Sequence, residues 1–483
     1  MRLHSERCRS FQPWPAGLRA GSLAILAFLS IVQAEAQVPG AQQQLALDIF
    51  RELIEIDTVT QTGDTLQAAN AVAARLRAAG FTGSDVQVLS PAPRKGNLVA
   101  RLRGTGKRKP ILLLAHLDVV PARREDWSTD PFKLVEREGY FYARGTVDNK
   151  FNAATFVANL IRYRQEGYRP DRDIIVVLEA DEENLDSDKM GIQWLLQHHR
   201  PLIDAEFALN EGGALRLRNG KPFVHTVQVS EKLSVSYRLE VKNPGGHSSV
   251  PRPDNAIYRL ATGLSKLAAF VFPHKLNETS RAYFQRTAEI ESEETAADMR
   301  SILSGAPDAA ALSIVRLSRN PIFNAALRTT CVATTLEAGE AINALPQFAR
   351  AGINCRVMPG EPLKELEATL RQVLDDDQIS ISQIQVGAVS EPSPLHEEIV
   401  GTIEKLSAEY WPQAKVVPVM APFATDGTFL RNAGIPTYGH SGMSGELEDF
   451  RRAHGRDERL PVNGFHVGME YMYRLVKALS GGT

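Results

Sequence analysis

ILLLAHLDVVPA, residues 111–122, is the stretch that decides the fold. Residues 111–114 are apolar, which is typical of a strand buried on both faces of a parallel sheet. His116 and Asp118 follow two positions apart, where such a strand should end. Side chains alternate along a strand, so these two polar groups point to the same face. Each would cost about 1–3 kcal/mol if it were buried without a partner, so the stretch predicts a polar site at a strand end.

The segments around this strand alternate between strand and helix patterns. NLVARLRG (97–104) and IIVVLEA (174–180) are typical of strands, and apolar spacing predicts a helix from about 151 to 163. This alternation indicates an α/β fold, with a mostly parallel sheet covered by helices on both faces. In such sheets ligands bind beyond the carboxyl ends of the strands, which is where His116 and Asp118 are expected.

The pattern changes near residue 230, and a chain of 483 residues is too long for one ordinary core. LSVSYRLEV (233–241) alternates apolar and polar residues like a half-exposed antiparallel strand. We therefore expect an inserted α+β domain over 230–362. It would separate the first part of the main domain (37–229) from the second part (363–483).

The first 36 residues have the layout of a secretory signal. Four arginines precede an apolar run at 22–32, and Ala34-Glu35-Ala36 fits a small-x-small cleavage site. A membrane anchor is the competing interpretation, but the 11 residues of the run fall short of the roughly 20 needed to cross a bilayer. Cys8 precedes the run, which argues against a lipid anchor. The sequence therefore predicts an exported protein, periplasmic or secreted, that loses residues 1–36.

The charge of the chain excludes two classes of partner. The net charge falls from -2 to -4 once the four arginines and two glutamates of the signal are removed. This mild acidity argues against binding to nucleic acid, and against binding to a membrane after cleavage. The mature chain keeps two cysteines, Cys331 and Cys355. In an exported protein they could form a disulfide, and two buried free thiols are the alternative.

Four further polar motifs have the same character as the end of the 111–116 strand. Their key residues are Asp148 in GTVDNK, Glu182 and Glu183 in LEADEENLDSD, Glu211 in FALNEGG and His454 in HGRDERLPV. Each alone has an ordinary explanation, such as a helix cap, a solvated acidic loop or a surface histidine. Together they are expected at one sheet edge, where adjacent carboxylates repel one another unless a cation is present. Imidazole and carboxylate oxygen are ligands that zinc prefers, so the set predicts a metal site.

In their order and spacing, five of these motifs resemble the metal-site motifs of the M20 family of zinc-dependent metallopeptidases and amidohydrolases: HLDVVPA, GTVDNK, EADEEN, NEGG and HGRDER. Two further stretches, GGHSSVPRPDNAI and NALPQFARAGINCRVMPG, resemble the dimerisation or lid domain of that family. The resemblance covers nearly the whole mature chain and is closest to the branch of carboxypeptidase S and N-acyl-amino-acid hydrolases. It implies that a homodimer could form through the inserted domain.

The resemblance implies two zinc ions per chain, bridged by Asp148. One ion would also bind His116 and Glu211, and the other would also bind Glu183 and His454. Among the histidines near the carboxyl end, His440 and His466 are rivals for the last ligand. His454 is preferred because it carries the glycine and glutamate that follow this ligand in the family, as Gly455 and Glu458.

The resemblance also implies that three residues act around the ions. Glu182 would be the general base, because a carboxylate bound to zinc cannot also transfer protons and an adjacent free one must. Asp118 would accept a hydrogen bond from the second ring nitrogen of His116. By resemblance, His247 would reach across a dimer and stabilise the oxyanion of the partner's substrate. A surface histidine in a glycine-rich turn is the alternative for that position.

The expected substrate follows from Arg356 and Asn343, which match family positions that hold a carboxylate. A planar guanidinium suits bidentate carboxylate binding. We therefore expect hydrolysis of an amide next to a free carboxylate, by a peptide carboxypeptidase or, alternatively, an N-acyl-amino-acid amidohydrolase. A non-catalytic binding protein would have lost a ligand or the base, and all are present. An aminopeptidase would need an acidic pocket, opposite in charge to Arg356.

Overall fold

The computed structural model describes residues 40–184, 191–305 and 307–482. The predicted signal peptide lies outside these residues. Within the described ranges, none of the helices is both long and apolar enough to cross a membrane.

The helices and strands fall into three consecutive groups along the chain. The first group comprises α1 (Gly40–Glu55), α2 (Thr65–Ala78), β1 (Val86–Ala92), β2 (Lys95–Leu102), β3 (Ile111–His116), β4 (Val135–Arg137), β5 (Tyr140–Tyr142), α3 (Lys150–Gln165), β6 (Ile174–Glu179), α4 (Gly191–His198), α5 (Arg200–Ile203), β7 (Phe207–Asn210), β8 (Leu215–Arg218) and β9 (Lys221–Glu231). The second comprises β10 (Leu233–Lys242), β11 (Gly246–His247), α6 (Ala256–Ala269), α7 (Glu278–Thr287), α8 (Glu293–Leu303), α9 (Pro307–Leu317), α10 (Pro321–Leu327), β12 (Thr330–Ala338), β13 (Ala344–Leu345), β14 (Phe348–Val357), α11 (Leu363–Leu374) and β15 (Ser380–Val386). The third comprises α12 (Glu397–Tyr410), β16 (Lys415–Ala421), α13 (Gly427–Asn432), β17 (Thr437–Gly439), β18 (Ser444–Glu446), α14 (Leu447–Phe450), β19 (Arg459–Pro461) and α15 (Val462–Ser480).

The main sheet has ten strands in the order β1-β2-β6-β3-β7-β17-β9-β8-β18, with β16 also paired to β9. Its centre is parallel, because β6, β3, β7 and β17 run side by side in the same direction. Antiparallel pairs flank this centre on both sides. One of them is the β8–β9 hairpin, whose turn residues Asn219 and Gly220 both have positive φ, as an Asn-Gly hairpin turn requires.

Strand β3 shows how the sheet is covered on both faces. Leu113 and Ala115 pack into a core that includes residues of α1, α2, α3 and α15. Leu112 and Leu114 alternate with them and pack into a second core with residues of α4, α5 and α13. Burial on both faces explains why the strand is continuously apolar. The predicted α/β class is therefore confirmed.

A second, antiparallel sheet has the order β12-β14-β10-β15 and forms the inserted α+β unit. Helices α6 and α11 contribute to its core. Cys331 of β12 and Cys355 of β14 lie directly opposite each other and form a disulfide. Helices α7 to α10 form a separate small core.

The inserted unit extends beyond the predicted boundary at 362. Strand β15 pairs with β10, and α11 packs its apolar stripe on the same sheet, so residues 363–386 belong with the insert. The stripe, Leu366, Leu370 and Leu374, is buried. Its spacing predicts a helix with one apolar face, but it does not specify which of two sheets that face covers, so the predicted boundary lies too early in the chain.

Candidate metal centre

The site begins at the ends of two neighbouring parallel strands. His116 is the last residue of β3, and Glu211 directly follows β7. The buried His116 ring places Nε2 3.4 Å from Glu211 Oε2 and 3.0 Å from Oδ1 of Asp148. Asp148 reaches the same point from the turn before α3, and its peptide bond to Asn149 is cis. Three motifs that are distant in sequence therefore meet beyond the carboxyl end of β3.

Asp148 lies between two imidazoles, with one carboxylate oxygen toward each. Its Oδ1 faces His116, and its Oδ2 lies 3.1 Å from Nε2 of His454. The same His454 nitrogen lies 2.8 Å from Oε1 of Glu183. The arrangement is that of a carboxylate shared by two ligand sets, one with His116 and Glu211 and the other with His454 and Glu183.

The donor atoms fit a pair of zinc ions. At bond lengths of about 2.0–2.2 Å, two ligands of one tetrahedral zinc lie roughly 3.3 Å apart. The separations within each set run from 2.8 to 3.4 Å. Two overlapping groups of three residues each have ligand atoms that all lie within 4.8 Å of one another: His116, Asp148 and Glu183, and His116, Glu182 and Glu211. Both groups include His116 and neither includes His454, so the division into two sets rests on the individual distances. Nitrogen and carboxylate donors are those of zinc sites.

The electrostatics of the site also suit cations. Burial tends to raise the pKa of Asp148, but its bonds to His116 and His454 outweigh burial and hold that pKa below its usual value. The bond to Asp148, with that to Glu183, raises the pKa of His454 to about 10. Burial tends to lower the pKa of His116, yet the charge of Glu211 and the bond to Asp148 raise it well above its usual value. The carboxylates outnumber the imidazoles, so positive charge is stabilised here.

Asp118 lies beside His116, but its carboxylate has a different partner from the one predicted. Nδ1 of His116 lies 3.0 Å from the main-chain oxygen of Asp118 and 3.7 Å from its carboxylate. The carboxylate instead accepts the main-chain N–H groups of Glu182 and Glu183, at 3.2 and 3.1 Å. The predicted carboxylate–imidazole bond is therefore replaced by a carbonyl–imidazole bond. The carboxylate fixes the loop that carries the expected base and a ligand.

Glu182 is almost fully buried, with 8% of its surface exposed. Burial raises the pKa of its carboxyl, and the neighbouring charge of Glu211 raises it further. Its carboxylate lies within ligand distance of His116 and Glu211, but it is not part of the group around Asp148 and Glu183. A carboxylate that borders the site in this way is able to accept a proton there.

The predicted residues of the insert lie apart from this cluster. His247 and Asn343 meet on the exposed β11–β13 ribbon, where the N–H of Ser248 donates to the Asn343 carbonyl at 3.1 Å. Arg356 is half-buried on β14. Among the described residues, none of these three side chains bonds to a ligand of the candidate metal centre.

Other neighbours of the site were not predicted. The Asn149 side chain donates a hydrogen bond to Glu211. The one signal for this contact in the sequence is the position of Asn149 next to Asp148 in GTVDNK. Asp426 forms a buried carboxyl pair with Glu179, and burial raises the pKa of both groups. In the sequence, Glu458 only identifies His454 as the last ligand, and no contact with the site is predicted for it. The rival His440 is bonded to Thr226 and Tyr471 instead.

Relatives of the chain include proteins from two functional groups. A human protein named N-fatty-acyl-amino acid synthase/hydrolase PM20D1 is 29% identical over 376 residues, which are 76% of this chain and 74% of that protein. A probable carboxypeptidase S-like 2 of Dictyostelium discoideum is 29% identical over 381 residues, 76% of this chain and 71% of that protein.

Solved structures share the fold. The M20 metallo-carboxypeptidase Sso-CP2 of Sulfolobus solfataricus superimposes with a TM-score of 0.66 at 16% identity, covering 90% of this chain and 99% of that one. The Bacillus subtilis protein YXEP, described as a dinuclear metal-binding M20 peptidase, gives 0.55 at 12% identity, covering 91% and 98%. Residues 112–478 match the family model for peptidase family M20/M25/M40. The chain belongs to this family, whose members are hydrolases of C–N bonds.

Proposed function

We propose that the chain is an exported two-zinc hydrolase that cleaves an amide bond next to a free carboxylate. The observation that carries the proposal is Asp148 between His116 and His454, with a second carboxylate beside each imidazole. A protein that only bound metal would not need a further, buried carboxylate at the edge of these ligands. Glu182 supplies it.

The chemistry is divided between the ions and Glu182. When bound by the five ligands, two zinc ions would polarise the scissile carbonyl and bring the pKa of a water towards neutrality. Glu182 accepts the proton of the attacking water and passes it to the nitrogen of the leaving amine. Such a positioned base contributes about 10²–10⁴-fold. Asp118 holds the main chain of Glu182 in place for both transfers.

The free carboxylate of the substrate is bound by Arg356, near the carboxyl end of β14. Asn343 lies beyond the other end of this strand, on the same ribbon as His247, so it would join Arg356 from a second subunit. Burial lowers the pKa of the Arg356 guanidinium, and among the described residues no carboxylate forms an ion pair with it. A partly desolvated guanidinium without a counter-ion favours an anionic ligand, and its planar fork matches a carboxylate.

His247 acts at the site of a second subunit. Its Nδ1 accepts from Ser249, whose Oγ lies 2.7 Å away, and the ring is exposed on the ribbon of the insert. The same part of the insert exposes apolar side chains, including Val250, Tyr258 and Ile342. Apolar surface of this kind marks an interaction site, and a homodimer would cover it.

Two substrate classes present an amide beside a free carboxylate. A peptide carboxypeptidase is the first candidate, and the carboxypeptidase S-like relative supports it. N-acyl amino acids are the second candidate, supported by the equally similar human relative. Arg356 would bind either substrate in the same way.

The proposal is tested with the purified mature chain on a matched panel. Blocked dipeptides and N-acyl amino acids of increasing chain length are compared with the same compounds capped as carboxamides. We expect hydrolysis of the free acids, loss of activity with a chelator and recovery with zinc. Faster cleavage of blocked dipeptides selects the carboxypeptidase. Equal turnover of the capped compounds, or activity without metal, would contradict the proposal.

Export is a separate part of the proposal. It is supported by the arginines, apolar run and cleavage motif within residues 1–36. The full chain, expressed in a host with a secretory pathway, should be recovered outside the cytoplasm with Gln37 at its N-terminus. Recovery in the cytoplasm with residues 1–36 intact would remove export and leave the chemistry unaffected.

A further inference from the structure

The fully buried carboxylate of Glu458 connects the main-chain segments that carry two of the proposed ligands, Asp148 and His454. Its Oε1 accepts the main-chain N–H of Val147 at 2.8 Å and that of Asp148 at 3.2 Å. Its Oε2 accepts from Nη1 of Arg144 at 2.7 Å. The carboxylate is thus bonded to the backbone of the bridging residue itself.

Arg144 connects this carboxylate to the other histidine. Its Nη2 donates to the carbonyl of Gly455, the residue after His454, at 2.9 Å. Its guanidinium also lies over the ring of Trp127, 5.2 Å from the ring centre. The Arg144 guanidinium therefore links the Asp148 turn, through the Glu458 carboxylate, to the His454 loop, through the Gly455 carbonyl.

The two segments are brought together by a short antiparallel ladder. Arg459 of β19 pairs with Tyr142 of β5, and the N–H of Ala143 donates to the Glu458 carbonyl at 3.2 Å. The ion pair lies just beyond the end of this ladder. From there the chain on one side leads to Asp148 and on the other leads back to His454.

The His454 loop needs such support because of its backbone. His454 has φ 62°, a left-handed conformation that costs a non-glycine residue about 1–3 kcal/mol and persists only where neighbours enforce it. The bond from Arg144 to the next carbonyl fixes the chain directly after this residue. A rigid loop keeps Nε2 of His454 within 3.1 Å of Asp148.

We propose that Glu458 and Arg144 are positioning residues that set the separation of Asp148 and His454, and so determine zinc affinity. The proposal rests on the proposed two-zinc function. A buried ion pair is a weak source of stability, because desolvation offsets much of its attraction. The pair is better explained by its bonds to the main chain at the proposed ligands, one to the N–H of Asp148 and one to the carbonyl next to His454. Loss of an outer partner of a metal ligand typically costs about 10–100-fold in affinity or activity.

The chain offers a matched control in a second buried pair. Arg162 donates to Glu470 at 2.5 Å, and its guanidinium lies 3.5 Å from the ring centre of Tyr473. This pair joins α3 to α15 and also combines a buried carboxylate and an aromatic ring with one arginine, whose Nε donates in addition to Glu166 at 2.9 Å. It contacts none of the five proposed ligands.

The test compares Glu458→Gln and Arg144→Lys with Glu470→Gln in the full mature chain. Zinc affinity is measured by competition with a chromophoric chelator, and folding of the metal-free proteins by thermal unfolding. We expect zinc binding to weaken by about 10–100-fold in Glu458→Gln. Arg144→Lys should also weaken zinc binding, because lysine cannot contact the Glu458 carboxylate and the Gly455 carbonyl at the same time. The loss should be smaller than in Glu458→Gln, because lysine keeps the positive charge. Glu470→Gln should bind zinc like the unchanged chain even where its unfolding temperature falls.

Each outcome decides the matter. Equal zinc affinity in Glu458→Gln and Glu470→Gln would overturn the proposal, as would failure of both Glu458→Gln and Arg144→Lys to fold, since the pair would then serve stability. If only Glu458→Gln fails to fold, Arg144→Lys decides by its zinc affinity. An unchanged chain that binds no zinc would instead refute the proposed function, so the two failures are distinguishable.

Discussion

Asp148 Oδ2 lies 3.1 Å from Nε2 of His454, although the whole inserted unit lies between the two residues in the sequence. The other oxygen of the same carboxylate faces His116 at 3.0 Å. This contact requires the first and last parts of the main domain to fold together across the insert. It makes one side chain common to both halves of the candidate metal centre.

Substitution of Asp148 should therefore affect both ions at once. Asp148→Asn keeps the shape but replaces one carboxylate oxygen by an amide that binds metal poorly. We expect the loss in zinc affinity at both positions to exceed the roughly 10–100-fold typical of an outer partner, as measured by zinc content and competition titration. Asp171→Asn is the control, because Asp171 binds Lys107 on the surface. Retention of one tightly bound ion by Asp148→Asn would argue against a shared carboxylate.

Glu182→Gln separates metal binding from catalysis. The amide preserves size and burial but cannot accept the proton of the attacking water. We expect zinc content to stay unchanged and kcat to fall by about 10²–10⁴-fold, with KM nearly constant. Stopped assays with zinc analysis of the same samples check both quantities. A Glu182→Gln protein that turns over substrate normally would remove this residue as the base.

Arg356→Ala should act on substrate binding. Hydrogen bonds to charged groups are worth about 1.5–3 kcal/mol, which corresponds to an increase in KM of about 10–100-fold for substrates with a free carboxylate. Carboxamide-capped analogues provide the comparison, since their slow hydrolysis should change little. Arg350→Ala is the control, because Arg350 lies on the same strand and binds Glu240. An equal effect of both substitutions would leave Arg356 without a specific role.

Acid should destabilise the fold through His440. Burial lowers its pKa from 6.5 to about 4, and its ring is packed between Tyr471 and His225. The unfolded chain binds this proton more readily, so the stability is complete above pH 6.5 and falls as the pH drops towards 4. Between pH 7 and pH 5 the loss from this group is about 2 kcal/mol.

Urea unfolding of His440→Asn at pH 7 and pH 5 measures that contribution. Asparagine does not titrate, so the difference in free energy of unfolding between the two pH values should shrink by about 2 kcal/mol. His274→Asn, at an exposed histidine, should leave the difference as it is. If His440→Asn were as sensitive to acid as the unchanged chain, other groups would account for its acid response.

The sequence was sufficient for the parts of the molecule that a local pattern encodes. Strand β3 is apolar throughout because both of its faces are buried, and His116 ends it. The positions of Asp148, Glu183, Glu211 and His454 follow from motifs placed at element ends. Each of these is a statement about one short segment and its neighbours along the chain.

Features that depend on contacts between distant segments could not be predicted. The orientation of the Asp118 carboxylate is set by the loop of Glu182 and Glu183, which offers it two N–H groups. The buried bond between Arg144 and Glu458 joins two segments that no pattern links. Strand β15 likewise pairs with an insert that begins far earlier in the chain.

The central claim is that two ions share Asp148. Crystals of the zinc-loaded mature chain, measured on both sides of the zinc absorption edge, locate the ions directly by anomalous scattering. We predict two peaks about 3.5–4 Å apart, one between His116 and Glu211 and one between His454 and Glu183, with one Asp148 oxygen toward each. A single peak, or peaks away from Asp148, would contradict the account.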